Sequence, residues 1–487
     1  MSNRPETNKQ SCPVYKKCGG CQLQNLSYPE QLEFKQRKVE KLLKRFCTVE
    51  KIIGMKTPYH YRNKVQAAFY TDKKGKIISG VYQSGSHHVV GIDSCQTEDV
   101  IADKIIVAVR KLLPSFRMTT YNEDTGKGFL RHILVKRGFA TNQIMLVLVT
   151  GTPVFPSKNN FVKAILKQFP EITTIVQNIN PYRTNLVLGD NQKVLYGKGY
   201  IEDILCGCRF RISPKSFYQI NPVQTEVLYG KAIEFANLKG NETVLDTYCG
   251  IGTIGIIAAK NGAGNVIGAE LNGDAVRDAI VNARANNLKN IRFYKADAGE
   301  FMREAADEDE KPDIVFMDPP RAGSDRKFLD SLIKMSPKKV VYVSCNPETL
   351  ARDLAYLTQN SPYKAQKIQP VDMFPHTAHI ETVVLLSQLK QKPDDYINVT
   401  IELDDMDVTS AETKVTYDEI KKYVAEHNDG MKVSNLYISQ VKRKCGIEVG
   451  KNYNLPKNED SRQPQCPEDK ERAIVEALEH FKMIQQK

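Results

Sequence analysis

The chain has 487 residues, 41% hydrophobic and 26% charged, with a formal net charge of +12. That composition fits a soluble globular chain of about three domains and excludes collagen-like, disordered and membrane-spanning classes. No apolar run approaches the roughly 18 to 20 residues of a spanning helix and no signal-peptide core follows Met1, so a cytoplasmic protein with no membrane partner is expected.

The charge is uneven. Residues 391–487 hold 15 Lys+Arg against 19 Asp+Glu, leaving 54 against 38 on residues 1–390. A basic excess of that size favours a polyanionic partner, nucleic acid first. Nothing in the sequence points to an obligate protein partner. The cysteines number 11, and in a reducing compartment such thiols serve more often as metal ligands, nucleophiles or small hydrophobes than as disulfides.

In chain order, residues 1–54 open with Cys12, Cys18 and Cys21 in a tight knot, followed by a polar helix from Tyr28 to Phe46. Residues 55–212 read as a mixed domain dominated by antiparallel strands, with short runs such as Val65–Tyr70 and Gln143–Val149 between Gly-, Asp- and Lys-rich turns. Its clusters Tyr61-Arg62-Asn63-Lys64 and Arg131-His132 with Lys136 and Arg137 suit phosphate contact and base stacking, although each alone is the usual composition of a solvated face.

Residues 213–390 alternate strands with helices. The strands are expected at 243–246, 266–270, 291–294, 313–318, 340–344 and 382–386, with a helix over 274–286, which defines an α/β doubly wound sheet with a mostly parallel core. Residues 391–487 begin with an acidic linker and continue with helical faces at Val433–Cys445, ending at Gly446, and Ala473–Phe481. The basic run Lys442-Arg443-Lys444 admits a recognition helix, but an ordinary amphipathic helix is the safer reading.

Chemistry concentrates at the strand ends of residues 213–390. Asp246-Thr247-Tyr248-Cys249-Gly250-Ile251-Gly252 follows a strand and enters a helix, where glycines let the backbone pass close under a nucleotide-like ligand. Glu270 ends the next strand, where a carboxylate accepts ribose hydroxyls. An acid at the head of the loop is poorly matched to a pyrophosphate and well matched to the ammonium of S-adenosylmethionine, so methyl transfer outranks hydride transfer. Asp318-Pro319-Pro320-Arg321 ends the fourth strand, with Arg321 where enzymes that methylate exocyclic amines carry an aromatic. Cys345 leaves the next strand, and Glu381 precedes the last. A thiolate adding to carbon 6 of a pyrimidine makes carbon 5 nucleophilic, and a base must then remove the carbon 5 proton; Cys345 and Glu381 are placed for those two tasks.

These motifs, in this order, resemble the RNA 5-methyluridine methyltransferases, specifically the iron-sulfur type acting on 23S ribosomal RNA. The resemblance covers roughly residues 12–387 and rests on Asp-Pro-Pro-Arg, Ser-Cys-Asn-Pro and Phe-Pro-His-Thr-x-His-x-Glu. It implies a Rossmann-like class I methyltransferase sheet behind an N-terminal iron-sulfur segment. It implies Cys345 as nucleophile, Glu381 as base, and cofactor contacts at Gln219, Tyr248, Thr253, Glu270, Asp297 and Asp318. It also implies a [4Fe–4S] cluster on Cys12, Cys18, Cys21 and Cys95; spacing alone leaves iron-sulfur and zinc nearly even. A transfer RNA uridine methyltransferase, an RNA cytosine-C5 methyltransferase and a non-catalytic iron-sulfur RNA-binding factor stay open as alternatives. Two features depart from the family: no small β-barrel precedes the cysteines, and the tail after residue 390 is additional.

Overall fold

Short β-branched and aliphatic runs become strands through residues 64–388 of the computed structural model, which describes residues 12–83, 85–184, 186–308, 311–388, 417–445, 447, 466–481 and 483–484. The acidic linker and the helix end at Gly446 lie outside these residues. The chain divides into two units, Met1–Lys392 and Pro393–Lys487.

In the first unit, β1 (Lys64–Thr71), β2 (Ile77–Tyr82), β3 (Val89–Gly91), β4 (Leu130–Arg137), β5 (Ile144–Thr150), β6 (Ile172–Ile179) and β7 (Asn191–Tyr196) form one sheet in the order β3-β2-β1-β4-β5-β6-β7. Its pairs are antiparallel except β5 with β6, which a helix, Lys158–Gln168, connects in parallel. That helix and Val100–Leu112 bury Phe161, Ile165, Ile105 and Val109 against one face. A hairpin follows, β8 (Ile201–Leu205) with β9 (Cys208–Ile212). Cys206 and Gly207 are its two turn residues, both at positive φ (50° and 72°), as a tight hairpin requires; this accounts for the close Cys-Gly-Cys spacing.

The second sheet contains β10 (Thr243–Asp246), β11 (Asn265–Glu270), β12 (Ile291–Lys295), β13 (Ile314–Met317), β14 (Lys339–Ser344), β15 (Tyr363–Val371) and β16 (Glu381–Gln388), in the order β12-β11-β10-β13-β14-β16-β15. The first five run parallel, while β16 inserts antiparallel between β14 and β15. The order reverses between β10 and β13, which opens a crevice at their carboxyl ends. β15 is the strand that sequence patterning does not reveal. Lys364, Gln366, Lys367, Gln369 and Pro370 interrupt its apolar period, and a bulge sits between Ala365 and Lys367.

The N-terminal helix, Tyr28–Leu43, ends three residues before the expected Phe46 and begins in a capping box between Ser27 and Glu30. It buries Val39 and Leu43 in the core of the second sheet. Lys35 Nζ meets Asp372 Oδ1 at 2.5 Å with both side chains fully buried, and the Tyr28 hydroxyl donates to Asp372 Oδ2 at 2.8 Å. The chain after this helix bridges to β15 at Val49 with Ile368 and at Ile53 with Val371.

The second unit packs Tyr417–His427, Asn435–Lys444 and Glu468–His480 around Ile420, Val424, Ile438, Val441, Ile474 and Leu478. The first helix starts inside an acid-rich run and was not expected. Lys442 is buried, with its ammonium 4.7 Å from the Tyr417 ring, and Lys444 pairs with Glu471, so much of the basic run serves this small core. Among the described residues no helix is long and apolar enough to cross a membrane.

Candidate active site

The glycine loop is shaped from β10 outward. Asp246 ends that strand, and its Oδ2 accepts the Gly255 N–H at 2.8 Å; a Cβ on Gly255 would lie 3.2 Å from that same oxygen, a tight contact that glycine avoids. Gly252 takes φ +82° with the Phe293 ring 2.8 Å from where its Cβ would be. Glu270, at the end of β11, fixes the opposite wall by accepting Gly250 N–H (3.1 Å) and Asn272 N–H (2.7 Å). Each of its oxygens retains a lone pair for a ribose hydroxyl. Asp297 follows β12 and caps the next helix through Oδ1, accepting from Gly299 and Glu300. Tyr248 stands in the loop with its ring 5.5 Å from Phe328 and its hydroxyl 3.5 Å from Ser324 Oγ. A cleft of about 440 Å³ runs outward from Gly250 and Glu270 past Phe217, Lys215 and Arg277.

Gln219, Thr253 and Asp318 converge on a residue that the sequence reading did not single out. Tyr229 is 2% exposed, its hydroxyl lies close to the side chains of Gln219 and Thr253, and its ionisation is suppressed by burial and by Asp318. Tyr229 lies in an apolar helix, Pro222–Ala236, with no motif around it, so no local signal could have found it.

Cys345 and Glu381 come together through strand register. Ser344 on β14 faces Thr382 on β16. Cys345, one residue beyond Ser344, and Glu381, one residue before Thr382, therefore leave adjacent strands side by side. Burial, then Glu381 and Asp318, push the Cys345 thiol up to about 11, while Arg321 pulls it down. Glu381 is 3% exposed and its carboxyl is held well above the usual carboxylate range by burial and by Asp318. Burial alone raises Asp318 to about 7. Asp246 rises to about 7 as well, by burial with Asp318 and Glu270 nearby, and its Oδ1 is buried without a partner. A thiol, a proton-accepting carboxyl and a guanidinium beside an acid-lined crevice are the groups that conjugate addition and proton removal require. Among these, the sequence reading noted Arg321 only as the residue in an aromatic's place and missed its electrostatic part.

The segment before Glu381 is braced by the N-terminus. His376 has φ 69°, a left-handed conformation unusual for histidine, and is over-determined by its contacts. Its N–H donates to Gln31 Oε1, its ring lies 2.9 Å from Pro58 O, and it packs at 4.9 Å on Tyr59. Leu23 N–H donates to His376 O, Ala378 N–H to Gln22 Oε1, and the Tyr61 hydroxyl to Pro375 O.

The four cysteines expected to hold a cluster share a neighbourhood. Burial, with Cys18 and Cys12 nearby, raises the Cys21 thiol pKa, Cys18 and Cys95 both experience Glu98, and Gln24, close to Cys21, donates to Gln96 beside Cys95. Four thiols are a suitable donor set for iron-sulfur or zinc. Among the described residues, however, no group of three or more His, Cys, Asp or Glu side chains is drawn tightly enough to hold a metal ion.

The expected phosphate contacts need correction. Arg131 is buried and donates to the Asn180 and Tyr182 carbonyls, and Lys136 is buried and donates to the Ser213 and Ser216 carbonyls. Tyr61, Asn63 and His132 are buried too. The two cations hold loops together through these carbonyls, and their burial keeps them from a phosphate at the surface.

The strand order, the antiparallel β16 and the glycine loop define an α/β class I fold of S-adenosylmethionine-dependent methyltransferases. A family profile described as tRNA (Uracil-5-)-methyltransferase matches residues 182–389. A Bacillus cereus protein described as an uncharacterized RNA methyltransferase is 43% identical over 392 residues, covering 80% of this chain and 85% of the relative. One from Clostridium tetani, described in the same words, is 44% identical over 385 residues, covering 78% and 83%. The crystal structure of the Pyrococcus abyssi tRNA (uracil-54, C5)-methyltransferase with S-adenosyl-L-homocysteine superposes with a TM-score of 0.64 at 30% identity, covering 78% of this chain and 87% of that one. The chain belongs to the RNA uracil-5-methyltransferase family and is an S-adenosylmethionine-dependent RNA methyltransferase.

Proposed function

We propose that this enzyme methylates carbon 5 of a specific uridine in 23S ribosomal RNA, in a cytoplasmic setting where its thiols stay reduced. The observation that carries the mechanism is the register of Ser344 with Thr382, which sets the Cys345 thiol beside the Glu381 carboxyl. Cys345, as thiolate, adds to carbon 6 of the uracil; carbon 5 takes the methyl group; Glu381 removes the carbon 5 proton, and the thiolate leaves. Arg321 favours the anionic forms of both groups. Gln219, Tyr248, Thr253, Glu270, Asp297 and Asp318 hold the methyl donor, with Tyr229 positioning Gln219 and Thr253. The donor's sulfonium charge suits the acids around it.

The cysteine set supports the ribosomal branch and a [4Fe–4S] cluster on Cys12, Cys18, Cys21 and Cys95. A second reading, methylation of transfer RNA, is favoured by the Pyrococcus abyssi relative. Both are decided by incubating the protein with unmodified 23S rRNA or transfer RNA and radiolabelled S-adenosylmethionine, then identifying the labelled nucleoside. Label in 5-methyluridine from 23S rRNA supports the proposal; label only in transfer RNA overturns the substrate, and label in 5-methylcytidine overturns the base. Iron and acid-labile sulfide in anaerobically purified protein, against zinc, test the cluster.

Two outcomes follow from the electrostatics. Because the nucleophile is the thiolate and Cys345 is pushed up to about 11, its anionic fraction grows about tenfold per pH unit below that value. With Glu381 also raised, kcat/KM is expected to climb with pH through the neutral and mildly alkaline range, not to level off below the ordinary thiol value. Arg321→Ala moves the thiol further up, so activity at pH 7.5 falls, the profile shifts to higher pH, and Arg321→Lys recovers part of the loss. Tyr229→Phe removes the hydroxyl beside Gln219 and Thr253 and is expected to raise the S-adenosylmethionine Kd roughly two- to tenfold in calorimetry, the yield of a hydrogen bond or two.

A further inference from the structure

A separate pocket of about 100 Å³ opens on the sheet of β1–β7, between Tyr70, Tyr82 and His87 from the β1–β3 portion and Tyr121, Glu123 and His132 from the β4 portion. Its size suits one planar heterocycle. Its walls carry an uncommon share of unsatisfied polarity: among the described residues nine buried side-chain polar atoms lack a partner, and three of them, Tyr121 Oη, Arg131 Nε and His132 Nδ1, belong to residues around this pocket. Folded proteins pair nearly all such groups, so a cluster of exceptions asks for a cause.

The surrounding chemistry narrows the ligand. Tyr70 is 39% exposed, an aromatic ring left available for stacking. Tyr82 sets its edge against the rings of His87 and His132. Glu123 is held in place by the Tyr82 hydroxyl and by His87 Nδ1, each at 3.0 Å, and its two oxygens keep lone pairs for further donors. Burial and the neighbouring Arg131 lower His132 to about 4, so it is neutral near pH 7. Arg131 lies 4.4 Å over the Tyr121 ring, and its Nη1 donates to both the Asn180 and Tyr182 carbonyls. With Glu123 and Asp124 at the pocket and the lining residue Arg131 only 3% exposed, a phosphate is disfavoured. A neutral ring with N–H donors on its edge fits.

We propose that this pocket receives one unstacked nucleobase of the RNA substrate, its amino or imino edge toward Glu123 and its face against tyrosine. Unstacked bases splayed onto aromatic side chains are the usual means of reading single-stranded RNA. The inference rests on RNA being the substrate and not on which RNA it is.

The test uses the full chain with unmodified 23S rRNA and transfer RNA transcripts. Kd for whichever RNA the wild type methylates is measured against salt for the wild type, Tyr70→Ala and Glu123→Gln. Both variants are expected to weaken RNA binding about tenfold, as loss of one base contact does, with an unchanged salt slope and unchanged S-adenosylmethionine Kd. Irradiating the wild type with the same RNA is expected to leave a nucleotide adduct on a peptide from 69–89 or 121–132. Unchanged RNA affinity in the variants with no adduct there overturns the pocket, as does a weakened affinity with a shallower salt slope, which marks a lost phosphate contact. Failure of the wild type to methylate either RNA would instead strike the proposed function; the adduct map still reports on the pocket.

Discussion

Cys345→Ala is expected to abolish methyl transfer and covalent capture of RNA together, while Glu381→Gln lowers turnover by about 10²–10⁴-fold and retains the adduct. The asymmetry comes from the order of the chemistry. Without the thiol no covalent bond to carbon 6 forms, so carbon 5 never becomes nucleophilic. Without the carboxylate the bond forms and the methyl group transfers, but the carbon 5 proton stays, and the enzyme is held on its product. Denaturing gels of each variant with labelled RNA read the adduct, and tritiated methyl release into RNA reads turnover. Both side chains sit at the ends of well-paired strands, with Ser344 and Thr382 buried beneath them, so near-normal melting is expected for Cys345→Ala. Glu381 is more deeply buried, and its amide replacement keeps the shape while removing ionisation and turning one oxygen into an NH2 donor. Full activity in Cys345→Ala would remove the thiol from the mechanism; loss of the adduct in Glu381→Gln would give the carboxyl a part in the addition step.

Legibility in the sequence divides by range. β10, β11, β13 and β14 were visible because strands covered on both faces read as continuous apolar runs, and the acids and the thiol at their ends fall where α/β sheets bind ligands. β15 was invisible because its outward residues are polar and its end carries Pro370. Burial of Arg131 and Lys136 was also invisible: a basic residue in a strand looks solvated until its carbonyl partners, 49 to 80 residues away, are known. For the candidate site the same rule holds. Cys345 and Glu381, the two groups proposed to react, are announced by short motifs, whereas Tyr229 and the bracing of His376 arise from packing between helices and loops that no local pattern encodes.

The longest-range of these contacts carries the second large effect. Lys35 and Asp372 are 337 residues apart and form an ion pair sealed from water, with Phe374 O as a further acceptor at 3.0 Å. Removing one partner leaves the other charged or forces it to neutralise, so Lys35→Met is expected to destabilise the first unit by about 3–5 kcal/mol. Lys35→Met with Asp372→Leu is expected to recover much of that loss, since an apolar pair of similar volume avoids the desolvation that the ion pair only offsets. Chemical denaturation of the two variants separates these cases. Activity is expected to divide differently from stability. Asp372 begins the segment that passes through Phe374 and the left-handed His376 to Glu381, and the same helix supplies Gln31 to His376. The double variant, although stable, loses the polar tether that fixes this segment, so its kcat is expected to stay depressed while its S-adenosylmethionine Kd is normal. If kcat recovers in step with stability, the buried pair serves folding alone, and the position of Glu381 is set by the Gln31 and Pro58 contacts to His376.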